Sequence, residues 1–273
     1  MDRIRKALDL AREERDRRPA PAIEPPVRAP VGVAVTRLPT AIEYTRTKTF
    51  SPPPALLEAN RILGTSSRDP AAAAFRMLRT QVLQRLEEHN WRSVAMFSPG
   101  SEDGKTTTAI NLAISLANDH RHTVLLVDLD FKRPTVAEKL RIAPEQGTDD
   151  VLRGSARVED CLYHPEGFDR LVVLPARASM EQSSEALAGP RGRELVAELR
   201  GRYPDRILLF DLPPILGADD ALAFAPLVEC GLVVVAEGST PREDLVRCME
   251  LLRNTKIVGT VLNRATDVAS AYG

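Results

Sequence analysis

No excess of charge of either sign marks this sequence: 37 Lys and Arg stand against 38 Asp and Glu, a formal net charge of -1 over 273 residues. Neutralising a phosphate backbone requires a basic field, so nucleic acid is excluded as the main partner. Cysteine is scarce as well. Cys161, Cys230 and Cys248 lack metal-ligand spacing, and an odd number without a pairing pattern suits packing residues in a reducing cytoplasm. The four histidines, His89, His120, His122 and His164, form no ligand cluster with them, so no structural metal is expected. No apolar run approaches the length of a membrane span, and the first residues are charged where a signal peptide needs its apolar core. The sequence therefore predicts a chain that neither crosses a membrane nor is exported by that route.

What is present, 43% hydrophobic and 27% charged residues, suits one globular domain with a substantial core plus extra segments. Over residues 1–18, Ile4, Ala7, Leu8 and Ala11 recur at helical spacing with charges on the remaining face. This predicts a short amphipathic helix, either docked on its own domain or serving as a handle for a partner protein or membrane surface. A linker is expected over 19–60; its segments PAPAIEPPVRAP and SPPP, rich in proline and alanine from Pro19 to about Pro54, offer little core and predict an extended, mobile stretch. The main domain is expected over 61–273, ending in a short tail. Within it Asp69-Pro70 reads as an N-cap and first helical position, opening a helix through Ala71, Phe75, Leu78, Val82 and Leu86. Arg76 and Arg79 share one face of that helix, either solvated or an intersubunit contact.

The stretch SVAMFSPGSEDGKTTTAINLAISL, Ser93 to Leu116, holds the chemistry. An apolar run, Val94 to Phe97, breaks at Ser98-Pro99-Gly100 and gives way at Gly104-Lys105-Thr106 to a helical pattern, the order strand, loop, helix. Such a loop turns successive N–H groups inward, and the following helix adds the positive end of its dipole, which together hold phosphate. Lys105 would supply a full charge to the β- and γ-phosphates and Thr106 a hydroxyl to Mg²⁺. The bland alternative is a Gly-rich turn before a core helix. Pro99 stands where this pattern usually has its first glycine, and Glu102 and Asp103 put two carboxylates near a triphosphate, which requires both to point outward.

Two further runs end in acids. Thr123 to Asp128, TVLLVD, reads as a strand buried on both faces, and Leu129-Asp130-Phe131-Lys132-Arg133-Pro134 brings a second acid two positions on. Ile207 to Asp211 repeats the pattern before Leu212-Pro213-Pro214, as an acid that holds a Mg²⁺-bound water at a strand end requires. Beyond them the sequence predicts a strand at Leu171–Leu174, helices near Asp149–Arg153, Glu185–Ala188, Arg191–Arg202, Asp220–Leu227 and Pro241–Asn254, and strands at Leu232–Ala236 and Ile257–Leu262. This alternation predicts an α/β fold, a P-loop NTPase whose mostly parallel sheet carries helices on both faces and its ligand at the strand carboxyl ends. Asn263, at the end of the last strand, is either an adenine-pairing amide or a turn residue.

Together SPGSEDGKTTTAINLA, VLLVDLDFKRP, ILLFDLPP and IVGTVLNR resemble the bacterial P-loop tyrosine kinases (BY-kinases) that accompany chain-length-determinant proteins in capsule and exopolysaccharide export. The resemblance covers roughly Arg61 to Arg264. MDRIRKALDLA and FRMLRTQVLQR are most similar to the single-chain autokinases found beside exosortase-linked (XrtA-associated) polysaccharide loci. It implies ATP and Mg²⁺ as cofactors, bound by Gly100, Asp103, Gly104, Lys105, Thr106, Thr107, Asp211, Asn263 and Arg264, with Thr106, Asp128 and Asp211 at the metal. Lys105, Asp128 and Asp130 would be catalytic, Asp128 activating a tyrosine hydroxyl with help from Asp130, and Asn263 would face the adenine. It further implies a membrane-embedded polysaccharide co-polymerase as partner, a place at the inner face of the plasma membrane through that partner, and a homo-oligomer through the Arg76/Arg79 helix. The chain departs from the family at Glu102, where glycine or asparagine is common; at Lys132, where arginine is usual; at Ala73, where the oligomerisation helix has glutamate; and in its tail, where Tyr272 stands alone as phosphoacceptor in place of a tyrosine cluster. Two other functions stay open: a nucleotide-switched assembly factor with weak or no kinase activity, and a partitioning-type (MinD/ParA-like) ATPase, which would usually carry a lysine where Gly100 stands.

Overall fold

The computed structural model of the protein describes residues 47–64, 69–202 and 205–265. The helix expected over 1–18, most of the linker and the tail with Tyr272 lie outside them. In chain order the strands are β1 (Lys48–Phe50), β2 (Ser93–Phe97), β3 (Thr123–Asp128), β4 (Tyr163–Pro165), β5 (Leu171–Leu174), β6 (Arg206–Asp211), β7 (Cys230–Ala236) and β8 (Ile257–Asn263). The helices are α1 (Pro54–Ala59), α2 (Pro70–His89), α3 (Lys105–Ala117), α4 (Val136–Leu140), α5 (Thr148–Arg153), α6 (Ser183–Ala188), α7 (Pro190–Arg202), α8 (Asp220–Phe224) and α9 (Arg242–Leu251).

Alternation within the central strands decides the architecture. Val94 and Met96 of β2, Val124 and Leu126 of β3, Ile207 and Leu209 of β6, and Leu232 and Val234 of β7 pack into one core layer. Their neighbours Ala95 and Phe97, Leu125 and Val127, Leu208 and Phe210, and Val233 and Val235 pack into the other. Strands apolar on both faces need cover on both, which helical crossovers between parallel strands provide. Helices α2, α3 and α4 cover the first layer; α5 to α9 cover the second. The eight strands lie in the order β1-β4-β5-β3-β6-β2-β7-β8, and only β4 and β5 run antiparallel.

Two elements, β1 and α1, lie where the sequence predicts a linker. β1 is a three-residue edge strand parallel to β4, anchored by Lys48 N–H to the Leu162 carbonyl at 3.1 Å and by Glu166 N–H to the Phe50 carbonyl at 2.9 Å. A strand that short has no readable periodicity, and Pro54 starts α1 instead of breaking it. The folded region therefore begins ahead of Arg61.

Asp69 does cap α2, its Oδ1 accepting from Ala71 N–H at 2.8 Å, and the helix buries Ala72, Val82, Leu83 and Leu86. The expected one-sided pair on this helix divides. Arg76 is exposed, whereas Arg79 Nη1 donates to the Ser115 carbonyl near the end of α3 at 3.2 Å.

Candidate phosphate-binding site

The turn between β2 and α3 is shaped by its last residue. Gly104 caps α3 at φ 84°, ψ 22°, a left-handed conformation that a side chain disfavours. A Cβ there would also lie 2.0 Å from Asn263 Nδ2. Glycine thus lets the backbone turn directly into a 13-residue helix, whose first-turn N–H groups have no intrahelical partner and face the strand ends.

Strand parity brings the acids to this turn. Asp128 follows Val127, and Asp211 follows Phe210, so both project to the sheet face that α3 covers. They are register partners on adjacent strands β3 and β6. Lys105 Nζ donates to Asp211 Oδ1 at 2.6 Å and lies 3.8 Å from Asp130 Oδ2. Thr106 Oγ1 donates to Asp211 Oδ2 at 2.7 Å. Asp128, with no exposed surface, accepts from the N–H groups of Asp130 at 3.0 Å and Val136 at 3.2 Å. Burial first, and then the facing Asp211 carboxylate, push the Asp128 pKa well above the ordinary carboxylate value. Burial raises Asp130 too, against the opposing pull of Lys105 and of the N–H bond from Arg133.

Of the two carboxylates expected to point outward, Glu102 is exposed but Asp103 turns in and is 5% exposed. Asp103 Oδ2 accepts from Gly100 N–H at 2.6 Å and Oδ1 from the Thr240 hydroxyl at 2.5 Å. A charge that already has two donors no longer opposes an incoming phosphate as a bare carboxylate would, which corrects the sequence expectation. Behind the loop, Asn263 Nδ2 donates to the Asp103 carbonyl at 2.8 Å and Arg264 Nη2 to the Glu102 carbonyl at 2.7 Å. Asn263 Oδ1 accepts from Arg264 N–H at 2.9 Å, so both polar ends of this amide are engaged within the chain. Thr107 lies half-buried in the first turn of α3. The structure thus gathers Lys105, Thr106, Asp128, Asp130 and Asp211 at one point, and sets Asn263 and Arg264 against the back of the loop. Thr240 was missed by sequence reasoning; it lies 137 residues from Asp103, in no motif that signals phosphate.

The donor set fits a magnesium nucleotide. Mg²⁺ prefers one or two protein oxygens, completing its shell with phosphate and water, and the Thr106 hydroxyl and Asp211 carboxylate are two adjacent hard oxygens. Lys105, the loop and the start of α3 supply the positive side that phosphates need.

Residues 94–271 match the CobQ/CobB/MinD/ParA nucleotide binding domain. The succinoglycan biosynthesis transport protein ExoP of Rhizobium meliloti (strain 1021) is 32% identical over 220 residues, which span 77% of this chain and 27% of ExoP. The tyrosine-protein kinase YwqD of Bacillus subtilis (strain 168) is 27% identical over 220 residues, 80% of this chain and 91% of that protein. Among solved structures, the VpsO kinase domain is 29% identical, covers 72% of this chain and 96% of its own, and superposes with a TM-score of 0.63. The cell division ATPase MinD of Pyrococcus furiosus, 30% identical over 64% of this chain and 73% of its own, has a lower TM-score of 0.55.

Proposed function

Because the chain belongs to the CobQ/CobB/MinD/ParA nucleotide-binding domain family, we propose that it is an ATP-dependent protein tyrosine kinase serving exopolysaccharide or capsule synthesis and export. The observation that carries this reading is the convergence of Lys105, Thr106 and Asp211 within 2.6–2.7 Å contacts, with two more acids beside them, Asp128 at the end of the neighbouring strand and Asp130 just beyond it. The names of its relatives support it: YwqD is a tyrosine-protein kinase and ExoP a succinoglycan transport protein.

In this reading the loop and the first turn of α3 bind the β- and γ-phosphates, and Lys105 exchanges Asp211 for phosphate oxygens. Thr106 and Asp211 would hold Mg²⁺, which when bound would neutralise charge on the phosphates. Phosphoryl transfer asks mainly for positioning and charge neutralisation. The tyrosine oxygen bonds to the γ-phosphorus as the bond from that phosphorus to the bridging oxygen breaks, and ADP leaves with the electron pair. The phenolic proton goes to Asp128, assisted by Asp130, which keeps a 7% exposed edge beside Lys105. The acceptor is Tyr272 in the tail, and the partner is a membrane-embedded chain-length determinant protein that holds the kinase at the inner face of the membrane. No helix among the described residues is long and apolar enough to cross a membrane.

Purified protein given Mg-ATP and the cytoplasmic segment of that partner is expected to incorporate phosphate on Tyr272, and Lys105→Met and Asp128→Ala to lose it. Incorporation that persists in both variants rejects the assignment.

The solitary tail tyrosine favours a second reading, a nucleotide-switched assembly factor acting on the co-polymerase. Polymer output indifferent to Tyr272→Phe yet lost in Lys105→Met would select it. The partitioning ATPase is disfavoured because Gly100 stands where such ATPases usually carry a lysine.

A further inference from the structure

The turn from β7 into α9 contains Thr240-Pro241-Arg242-Glu243, the spacing of a capping box in which a threonine hydroxyl accepts from the helix N–H groups. Thr240 does not act that way. The N-cap of α9 is Pro241, without a side-chain cap bond, and the Thr240 hydroxyl instead accepts from Ala236 N–H at 2.8 Å while donating to Asp103 Oδ1 at 2.5 Å. A hydroxyl has one proton to give. With Ala236 N–H on its lone pair, that proton is aimed at the carboxylate.

The other oxygen of the same carboxylate closes the loop on itself by taking Gly100 N–H. Gly100 and Asp103 span the first part of the loop, immediately ahead of Gly104 and the first-turn N–H groups of α3, so the Asp103 side chain ties the start of the loop to the point where it enters the helix. Thr240 fixes Asp103 from a strand end outside the loop. β7, which carries Ala236, also pairs with β2, the strand that leads into the loop. Loop and anchor thus share one rigid frame.

We propose that Thr240 is a positioning residue of the nucleotide site, acting through Asp103 to hold the phosphate loop in its binding shape. The proposal rests on the nucleotide reading of the site and names a residue outside every phosphate motif in the chain.

Calorimetric titration with Mg-ADP tests it. Thr240→Val, which keeps the shape and removes the hydroxyl, is expected to weaken Mg-ADP binding about tenfold, the scale of a lost hydrogen bond to a charged group. Thr240→Ser is expected to restore it to within about twofold. In Asp103→Asn protein the added Thr240→Val is expected to cause little further loss, because residues acting through one contact are non-additive. With ATP as substrate the loss is expected in KM for nucleotide, with KM for the tyrosine acceptor unchanged. Wild-type affinity in folded Thr240→Val protein, even with a lowered melting temperature, overturns the proposal, as does full additivity with Asp103→Asn. Thr240→Ala provides the same comparison should the valine variant not fold. Failure of the wild-type protein itself to bind Mg-ADP would instead defeat the nucleotide reading on which the proposal stands.

Discussion

Asp128 is held where an ionised carboxylate is least welcome, without solvent contact and opposite Asp211. Its pKa is raised in the folded state, so as pH climbs past the ordinary carboxylate value of 3.8 the unfolded chain releases this proton and the folded chain retains it. Asp128 therefore favours the fold most at low pH and progressively less as pH rises toward its folded pKa. Asp128→Asn is expected to lose phosphoryl transfer. Its NH2 group must face the N–H of Asp130 or Val136, a cost independent of pH, so the melting temperature of the variant relative to wild type is expected to be lowest at about pH 4 and to rise toward neutrality; a difference that stays constant from pH 4 to 8 would refute this. A second residue-scale expectation concerns Lys132. The Asp220 carboxylate is fully buried and no hydrogen bond reaches either oxygen, while Lys132 Nζ stands 3.7 Å away, beyond bonding distance. The forked donors of a guanidinium suit that gap better than an ammonium. Lys132→Arg is expected to stabilise the nucleotide-free protein by about 1 kcal/mol, read as a rise in melting temperature; no change, or a fall, would show that the fork cannot reach Asp220. Asp128 and Asp211 were legible because each ends an apolar run where strand meets loop, and Lys105 and Thr106 because they follow Gly104 where the loop gives way to the helical pattern. The inward turn of Asp103 was not, since its partner Thr240 is remote in sequence and resembles an ordinary helix cap.

At the scale of elements, the site depends on the join between β2 and its neighbour β7. Gly231 of β7 lies against Phe97, the last residue of β2: an added Cβ would approach the ring to 2.4 Å. Gly231→Ala is expected to destabilise the fold by about 1–3 kcal/mol through overpacking and, by shifting the strand end that feeds the phosphate loop, to weaken Mg-ATP binding. Gly259→Ala on β8, whose nearest neighbour would be 3.8 Å away, is the comparison expected to change neither. Equal behaviour of the two variants, in chemical denaturation and in nucleotide titration, would contradict the packing argument. Long buried strands such as β3 and β6 declared themselves by unbroken apolar runs, and α2 by its Asp-Pro start. The edge strand β1 and helix α1 did not, because three residues carry no period and a six-residue helix that opens on proline continues the proline-rich stretch before it. Neither reading of Arg79, solvated face or intersubunit contact, foresaw its bond within the chain, for a similar reason: helical spacing tells which residues share a face, not that a carbonyl of α3 lies within reach of one of them.

In the molecule as a whole, strand order does what no single motif can. β6 lies between β2 and β3 in the sheet, so the loop after β2, the acid ending β6 and the acids at the end of β3 meet although more than a hundred residues separate Lys105 from Asp211. Parallel pairing sets all three carboxyl ends on one edge, where ligands of open α/β sheets bind. The edge and its acids could be read from the alternation of elements; the sheet order could not, because local pattern does not say which buried strand lies beside which. Calorimetric titration of ATP with and without Mg²⁺, into wild-type and Asp211→Asn protein, tests the convergence most directly. Wild-type protein is expected to bind ATP more tightly when Mg²⁺ is present, and Asp211→Asn to lose that difference. An Asp211→Asn protein that keeps the full magnesium dependence would contradict the site.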